Sequence, residues 1–125
     1  MAASRSDIAR EFLSACARGD VQQAYDLYVA PDFVHHNPWF AHDRQSLLDA
    51  MAQSAASEPN KSFDIMQTIE SPDRVAVLSH LKREQAGLEY AVVHIVRFND
   101  ADQIVEMWDL GQEVPADSPN TLGMF

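Results

Sequence analysis

Close to Pro59 the spacing of apolar side chains changes, and that change decides the class of fold open to the chain. Before it, apolar residues recur three and four apart, as on one face of a helix; from Ser62 onward they alternate with polar ones, as on the two faces of a strand. The helical part divides in three. Ser6 and Asp7 open the first segment, IAREFLSACARGD, with Ser6 as its cap, Ile8, Phe12, Leu13 and residues 15–17 as its apolar positions, and Gly19 ending it. Residues 21–29 repeat the pattern with Ala24, Tyr25, Leu27 and Tyr28 until Pro31 stops it, so the first two helices form a hairpin with a very short connection. Asp43 caps a third helix, RQSLLDAMAQSAAS, with Leu47, Leu48 and Met51 on one face and Pro59 beyond its end.

Four segments of period two come after Pro59: SFDIMQTIE, RVAVLSHLKRE, LEYAVVHIVRFND and QIVEMWDLGQ. Ser-Pro-Asp, Gln-Ala-Gly and Asn-Asp-Ala-Asp separate them, each a turn signal, and the succession makes an antiparallel meander. Helices first and strands afterwards give an α+β fold, with the helices gathered on one face of a strongly bent sheet that can close around a pocket. The tail, EVPADSPNTLGMF, is expected to run over the surface and dock Met124 and Phe125.

A length of 125 residues suits a single domain spanning residues 1–125. Two tryptophans, three tyrosines and six phenylalanines in a chain that is 46% hydrophobic describe a globular protein, and no run is long enough to span a bilayer. The opening MAASRSDIAREFL lacks a secretory apolar core, so the expected place is the cytoplasm and no membrane partner is expected. A formal net charge of −10 argues against nucleic acid, whose phosphates would be bound against the protein's own field. The one cysteine, Cys16, has no second thiol for a disulfide or a thiolate metal site and reads as packing.

The candidate site comes from asking which polar residues face inward. With the last turn near residues 99–102, Arg97 opposite Ile104 would put His94 opposite Met107 and Val92 opposite Asp109. One sheet face then carries Ala91, Val93, Ile95, Ile104, Trp108 and Leu110, with Arg97 and Glu106 close enough to pair, and reads as a buried packing layer. The other mixes Tyr90, Val92, His94, Val96 and Phe98 with Val105, Met107 and Asp109, and reads as a pocket wall. His80, in LSHLK, could come near His94 from the neighbouring strand. The stretch FVHHNPWF lies between the second and third helices and reads as a loop at the mouth of the cavity; since adjacent extended residues point to opposite sides, His36 is taken as the inward one and His35 as the solvent or interface residue.

His94, His80, His36 and Asp109 would then share one mostly apolar cavity, an arrangement suited to proton transfer at carbon. Asn37, Trp39, Phe40, Tyr25, Tyr28, Tyr90 and Met107 are the expected substrate contacts. Plainer readings stand beside these. Each histidine could be a satisfied core or interface residue, Asp109 could pair with a backbone group at the strand end, and the tyrosines could be core aromatics. No His-x-His or His-Glu-x-x-His spacing is present, so no metal is expected.

The order of helices, a His-Asn-Pro loop, another helix and a four-strand meander, with VHHNP at residues 34–38, VRF at 96–98, IVEMWD at 104–109 and Asn120-Thr121 with Met124-Phe125 at the end, resembles the SnoaL-like proteins of the nuclear-transport-factor-two-like superfamily. The resemblance covers essentially the whole chain and implies a cone-shaped α+β barrel, often a homodimer, with a pocket between sheet and helices that takes a small hydrophobic molecule. In the family's polyketide cyclases it implies an intramolecular aldol closure in which an aspartate removes a proton α to a carbonyl without metal or organic cofactor. The family's Asp-Ile-Phe-Arg falls on residues 94–97 and its Glu-His-Trp-Asp on residues 106–109, so the usual acid/base position is His94 and a usual histidine is Met107. An Asp/His couple thereby becomes His/Met, leaving His94 as the expected base, His80 or His36 assisting, Asn37 holding an oxyanion and Asp109 as a second base. The expectation is a cofactor-independent enzyme acting on a hydrophobic carbonyl compound. Its rivals are a domain of the same fold that holds a small apolar ligand unchanged, and a dimeric interaction module with a vestigial cavity.

Overall fold

The structure, a computed structural model, describes residues 3–125. Its elements run α1 (Arg5–Ala17), α2 (Val21–Tyr28), β1 (Val29–His35), α3 (Arg44–Ser57), β2 (Ser62–Glu70), β3 (Arg74–Arg83), β4 (Leu88–Phe98) and β5 (Ile104–Glu113). Helix α1 starts one residue before Ser6, because the capping box forms between Ser4 and Asp7: the Asp7 amide donates to Ser4 Oγ at 3.0 Å and the Ser4 amide donates to the Asp7 carboxylate at 3.2 Å. Asp43 caps α3 as expected, accepting the Ser46 amide at 3.0 Å.

The meander of β2 to β5 pairs antiparallel in sequence order, and β1 adds parallel to β5, giving the order β1-β5-β4-β3-β2. Strand β1 departs from the expected loop, since Phe33, Val34 and His35 of FVHHNPWF are strand and the loop begins only after His35. Its partner lies some seventy residues on, and Pro31 interrupts its pattern; the edge position tolerates a residue without an N–H, and pairing with β5 is irregular between Val29 and Val34. The sheet does not close into a barrel: β1 and β2 remain its two edges.

All three helices lie against one face. Phe12 and Leu13 of α1, Tyr25 of α2 and Leu47 of α3 pack with Val75, Val77, Val96 and Met107 of the sheet into a single core. Burying each of the larger side chains contributes about 1.5–3 kcal/mol, and Tyr25 additionally meets Phe12 and Phe33 ring to ring at 5.4 and 6.1 Å. The opposite face carries no helix. Ala91, Val93, Ile95 and Trp108 are only half-buried there and Leu110 is 60% exposed, so the layer expected to be buried is the outer face, while Ile104 joins the core. Arg97 does pair with Glu106 on that outer face, Nε to Oε1 at 3.0 Å. The tail docks at its end as expected, the Phe125 ring stacking on His80 at 4.3 Å. Among the described residues no helix is long and apolar enough to cross a membrane.

Candidate functional site

Between the helices and the inner sheet face lies a cavity of about 200 Å³. Helix α1 contributes Leu13, Cys16 and Ala17 to its wall, and α3 contributes Met51 and Ser54. The sheet side supplies Phe63, Leu81, Val92, His94 and Asp109, with Lys61 just ahead of β2. Burial pushes the Cys16 thiol up to about 12, which keeps it a neutral wall residue.

His94 and Asp109 are direct cross-strand neighbours, and His94 Nε2 lies 3.3 Å from Asp109 Oδ1. This distance is long for a hydrogen bond and close for a charge pair. The pairing corrects the expected register. Phe98, not Arg97, faces Ile104, which is one residue of difference, and Arg97 faces Glu106, so Val105 is an extra residue on β5 that adds a second. The local cause is the loop: Asn99 Oδ1 accepts the amides of Ala101 and Gln103, and Asp102 takes a left-handed φ of 60°. The shift of two residues along most of the pair leaves His94, Met107 and Asp109 on the face assigned to them while exchanging their partners. Met107 faces Val96 and is wholly core, and the imidazole, which was expected to lose its charged partner, has a carboxylate opposite it.

Asn37 completes the arrangement. Its Nδ2 donates to Asp109 Oδ2 at 2.8 Å and its Oδ1 accepts the Trp39 amide at 3.0 Å, so the side chain holds the carboxylate rather than standing free for an oxyanion. Burial raises the Asp109 pKa, but hydrogen bonding and charge from His94, the Asn37 amide and the charge of His35 outweigh it and hold the carboxyl below its usual range. The His94 Nδ1 is buried and has no hydrogen-bond partner among the described residues.

The two adjacent histidines take the reverse of their expected places. His35 ends β1 pointing into the protein, 3% exposed, where Nε2 meets the Ala41 carbonyl at 2.7 Å and Nδ1 accepts the Asn37 amide at 3.0 Å. His36 lies on the outer face, stacked on Trp108 at 4.9 Å, with Nε2 2.7 Å from Glu106 Oε2. Hydrogen bonds from His36 and then Arg97 lower the Glu106 pKa. The strand running through His35 decides this alternation, and a reading that treated the stretch as loop placed the residues one position out of phase.

His80 likewise faces outward, its Nε2 2.7 Å from Glu89 Oε1, because the inward positions of β3 are Val75, Val77 and Ser79. His36 and His80 therefore do not meet His94. Trp39 is 83% exposed and Phe40 is exposed too, since the Asn37-Trp39 turn throws both outward and away from the cavity they were expected to line. Tyr25 lies in the core behind the cavity and donates to Met51 Sδ at 3.3 Å; Tyr28 packs at the core's edge, and Tyr90 lies under the Arg83 guanidinium at 6.0 Å. Of the expected site residues, His94 and Asp109 meet at the cavity and Asn37 supports them. Lys61 and Ser54 were not foreseen: Lys61 Nζ donates to Ser54 Oγ at 2.6 Å, a contact between the end of α3 and the approach to β2 that no local sequence pattern announces.

The SnoaL-like domain model matches residues 9–107, which takes in the helices, the meander and the His94–Asp109 strands up to Met107. The chain belongs to the SnoaL-like family. Solved structures similar to this SnoaL-like chain include IdmH from Streptomyces antibioticus, described as a candidate polyketide cyclase, at 19% identity over 88% of this chain and 93% of that one, with a TM-score of 0.73. AclR from Streptomyces galilaeus, described as a candidate hydroxylase, is 20% identical over 86% of this chain and 78% of its own, with a TM-score of 0.73. A candidate isomerase of the SnoaL-like family from Agrobacterium tumefaciens is 13% identical over 86% and 97% of the two chains, with a TM-score of 0.69. At these identities the likeness is one of fold. Among curated proteins no relative matches the chain by sequence.

Proposed function

We propose that the cavity is the site of an acid/base reaction on a hydrophobic carbonyl compound, of the cyclase, isomerase or aldol type and without a metal or organic cofactor, as the family resemblance implies. The observation that carries this reading is the His94–Asp109 pair set in the wall of an otherwise largely apolar cavity. Held below its usual pKa, Asp109 stays ionised and is a weak base; its part is to hold the His94 imidazole by charge and to stabilise the imidazolium. The neutral imidazole of His94 is then the proton acceptor. In the step, the C–H bond α to the carbonyl breaks, its electron pair becomes the enolate and the proton passes to the imidazole, from which it can return to another carbon or to an alkoxide after ring closure. A positioned base of this kind is worth about 10²–10⁴ in rate.

Exchange of the α-protons of a small bicyclic ketone with solvent deuterium tests the proposal, with His94→Ala expected to lose the acceleration. The second reading, a domain that holds an apolar ligand unchanged, draws on the apolar majority of the wall and predicts binding without exchange in either protein. The proposal includes a homodimer formed through the outer sheet face, supported by the half-buried Val93, Ile95 and Trp108 and the exposed Leu110 on a face without a helix over it.

A further inference from the structure

One group in the cavity wall has no part in the proton transfer just proposed. Lys61 lines the cavity, and the only hydrogen bond of its amine among the described residues is the one to Ser54 Oγ. No carboxylate among the described residues lies within 4.0 Å of its amine. Glu58, three residues before it, is taken up by a two-pronged pairing with the Arg83 guanidinium, Nε to Oε2 at 2.9 Å and a second contact to Oε1. In a chain with nineteen acidic side chains against nine basic ones, an ammonium beside an apolar cavity without a carboxylate partner is not what surface composition alone would produce. Such a charge is costly to withdraw from water: burial, and then the positive charge of Arg83 against the opposing pull of Glu58, leaves the Lys61 pKa lowered.

We propose that Lys61 is the anion-binding end of the cavity and that the ligand is an amphipathic acid, an apolar body of one or two rings bearing a carboxylate that pairs with the Lys61 amine. The size comes from the space. An apolar cavity of about 150 Å³ accepts a benzene ring, so the present volume of about 200 Å³ suits a body of that order. The selectivity comes from charge: a neutral ligand of the same shape leaves the half-buried ammonium without a counter-charge, whereas a carboxylate supplies one and fixes which end of the ligand reaches His94. This inference rests on the acid/base reading of the cavity and adds how the carbonyl compound is held and oriented.

Calorimetric binding of 2-naphthoate and of 2-acetylnaphthalene, similar in size and differing in charge, tests it on the intact chain. The wild-type protein should bind the acid about tenfold tighter; Lys61→Met and Lys61→Gln, each checked for folding by circular dichroism, should erase the preference, and Lys61→Arg should keep most of it. Equal affinity for the two compounds in the wild type, no binding of 2-naphthoate at millimolar concentration, or a preference that survives in folded Lys61→Met would overturn the assignment. Because this readout is binding without turnover, a cavity that prefers the acid but exchanges no protons sinks the proton-transfer reading alone. A cavity that exchanges protons but ignores the carboxylate sinks only this one.

Discussion

His94 on β4 and Asp109 on β5 stand directly opposite each other, Nε2 3.3 Å from Oδ1, in a last hairpin where the turn sets Phe98 opposite Ile104 and β5 then carries one extra residue. The carboxylate is mostly buried, accepts the Asn37 amide and has a lowered pKa in the folded chain. In the unfolded chain it titrates near the ordinary carboxylate value of about 3.9. A carboxylate whose folded pKa is depressed contributes stability that is complete above the unfolded value and is lost as pH falls through the folded one. Asp109→Asn should therefore cost about 1–3 kcal/mol at pH 7, and the gap from wild type should narrow at pH 3 in urea unfolding. A gap that stays constant or widens on acidification would show that the pair does not stabilise the fold.

His35 and His36 are neighbours with opposite fates. His35 makes two internal hydrogen bonds that hold the turn before α3, one to the Ala41 carbonyl and one from the Asn37 amide, whereas His36 lies exposed on the outer face. Replacing His35 with alanine leaves buried groups unpaired and opens a cavity, for a loss of about 2–4 kcal/mol. His36→Ala should cost less than about 1 kcal/mol. Comparable losses for the two in chemical denaturation would reverse the assignment of inward and outward residue.

Ser79 is wholly buried on the inner face of β3, and its hydroxyl has no partner among the described residues. A buried hydroxyl without a partner carries its desolvation cost uncompensated. Ser79→Ala is accordingly expected to be neutral or to raise stability by up to about 1 kcal/mol. A loss of about 2 kcal/mol or more on the same scale would mean that the hydroxyl is hydrogen-bonded in solution.

Much of this architecture was legible in the chain. The bounds of α3 and β2 are set by Asp43, Pro59 and the Ser-Pro-Asp turn, because caps and turns are local chemistry. Strand β1 was hidden because its hydrogen bonds come from a partner far along the chain and its own sequence contains Pro31. The phase of His35 and His36 was lost with it. A turn one residue shorter on the β4 side, with Phe98 rather than Arg97 opposite Ile104, and the extra residue Val105 in β5 together make a shift of two, and an even shift preserves faces, so His94 and Asp109 were still assigned to the cavity side. That the meander's other face lies bare could not be read from alternation, which says that two faces differ but not which one the helices cover. Lys61 meets Ser54 where the end of α3 comes close to the approach to β2, which no spacing rule encodes.

The outer face gives a prediction about assembly. Leu110 is exposed beside half-buried Val93, Ile95 and Trp108, so Leu110→Glu should leave the fold intact while placing a charge in the proposed dimer contact. Light scattering at micromolar concentration should give twice the 14.0 kDa chain mass for the wild type and the single-chain mass for the variant. A wild-type protein that scatters as one chain would dismiss the dimer.

The most direct measurement of the central claim is proton NMR of a bicyclic ketone such as 2-tetralone in deuterium oxide, tracking loss of the α-proton signal with catalytic amounts of protein. Exchange should run above the buffer rate for the wild type, drop to that rate for His94→Ala, and fall at least about tenfold for Asp109→Asn. Exchange at the same rate in the wild type and in folded His94→Ala would contradict it.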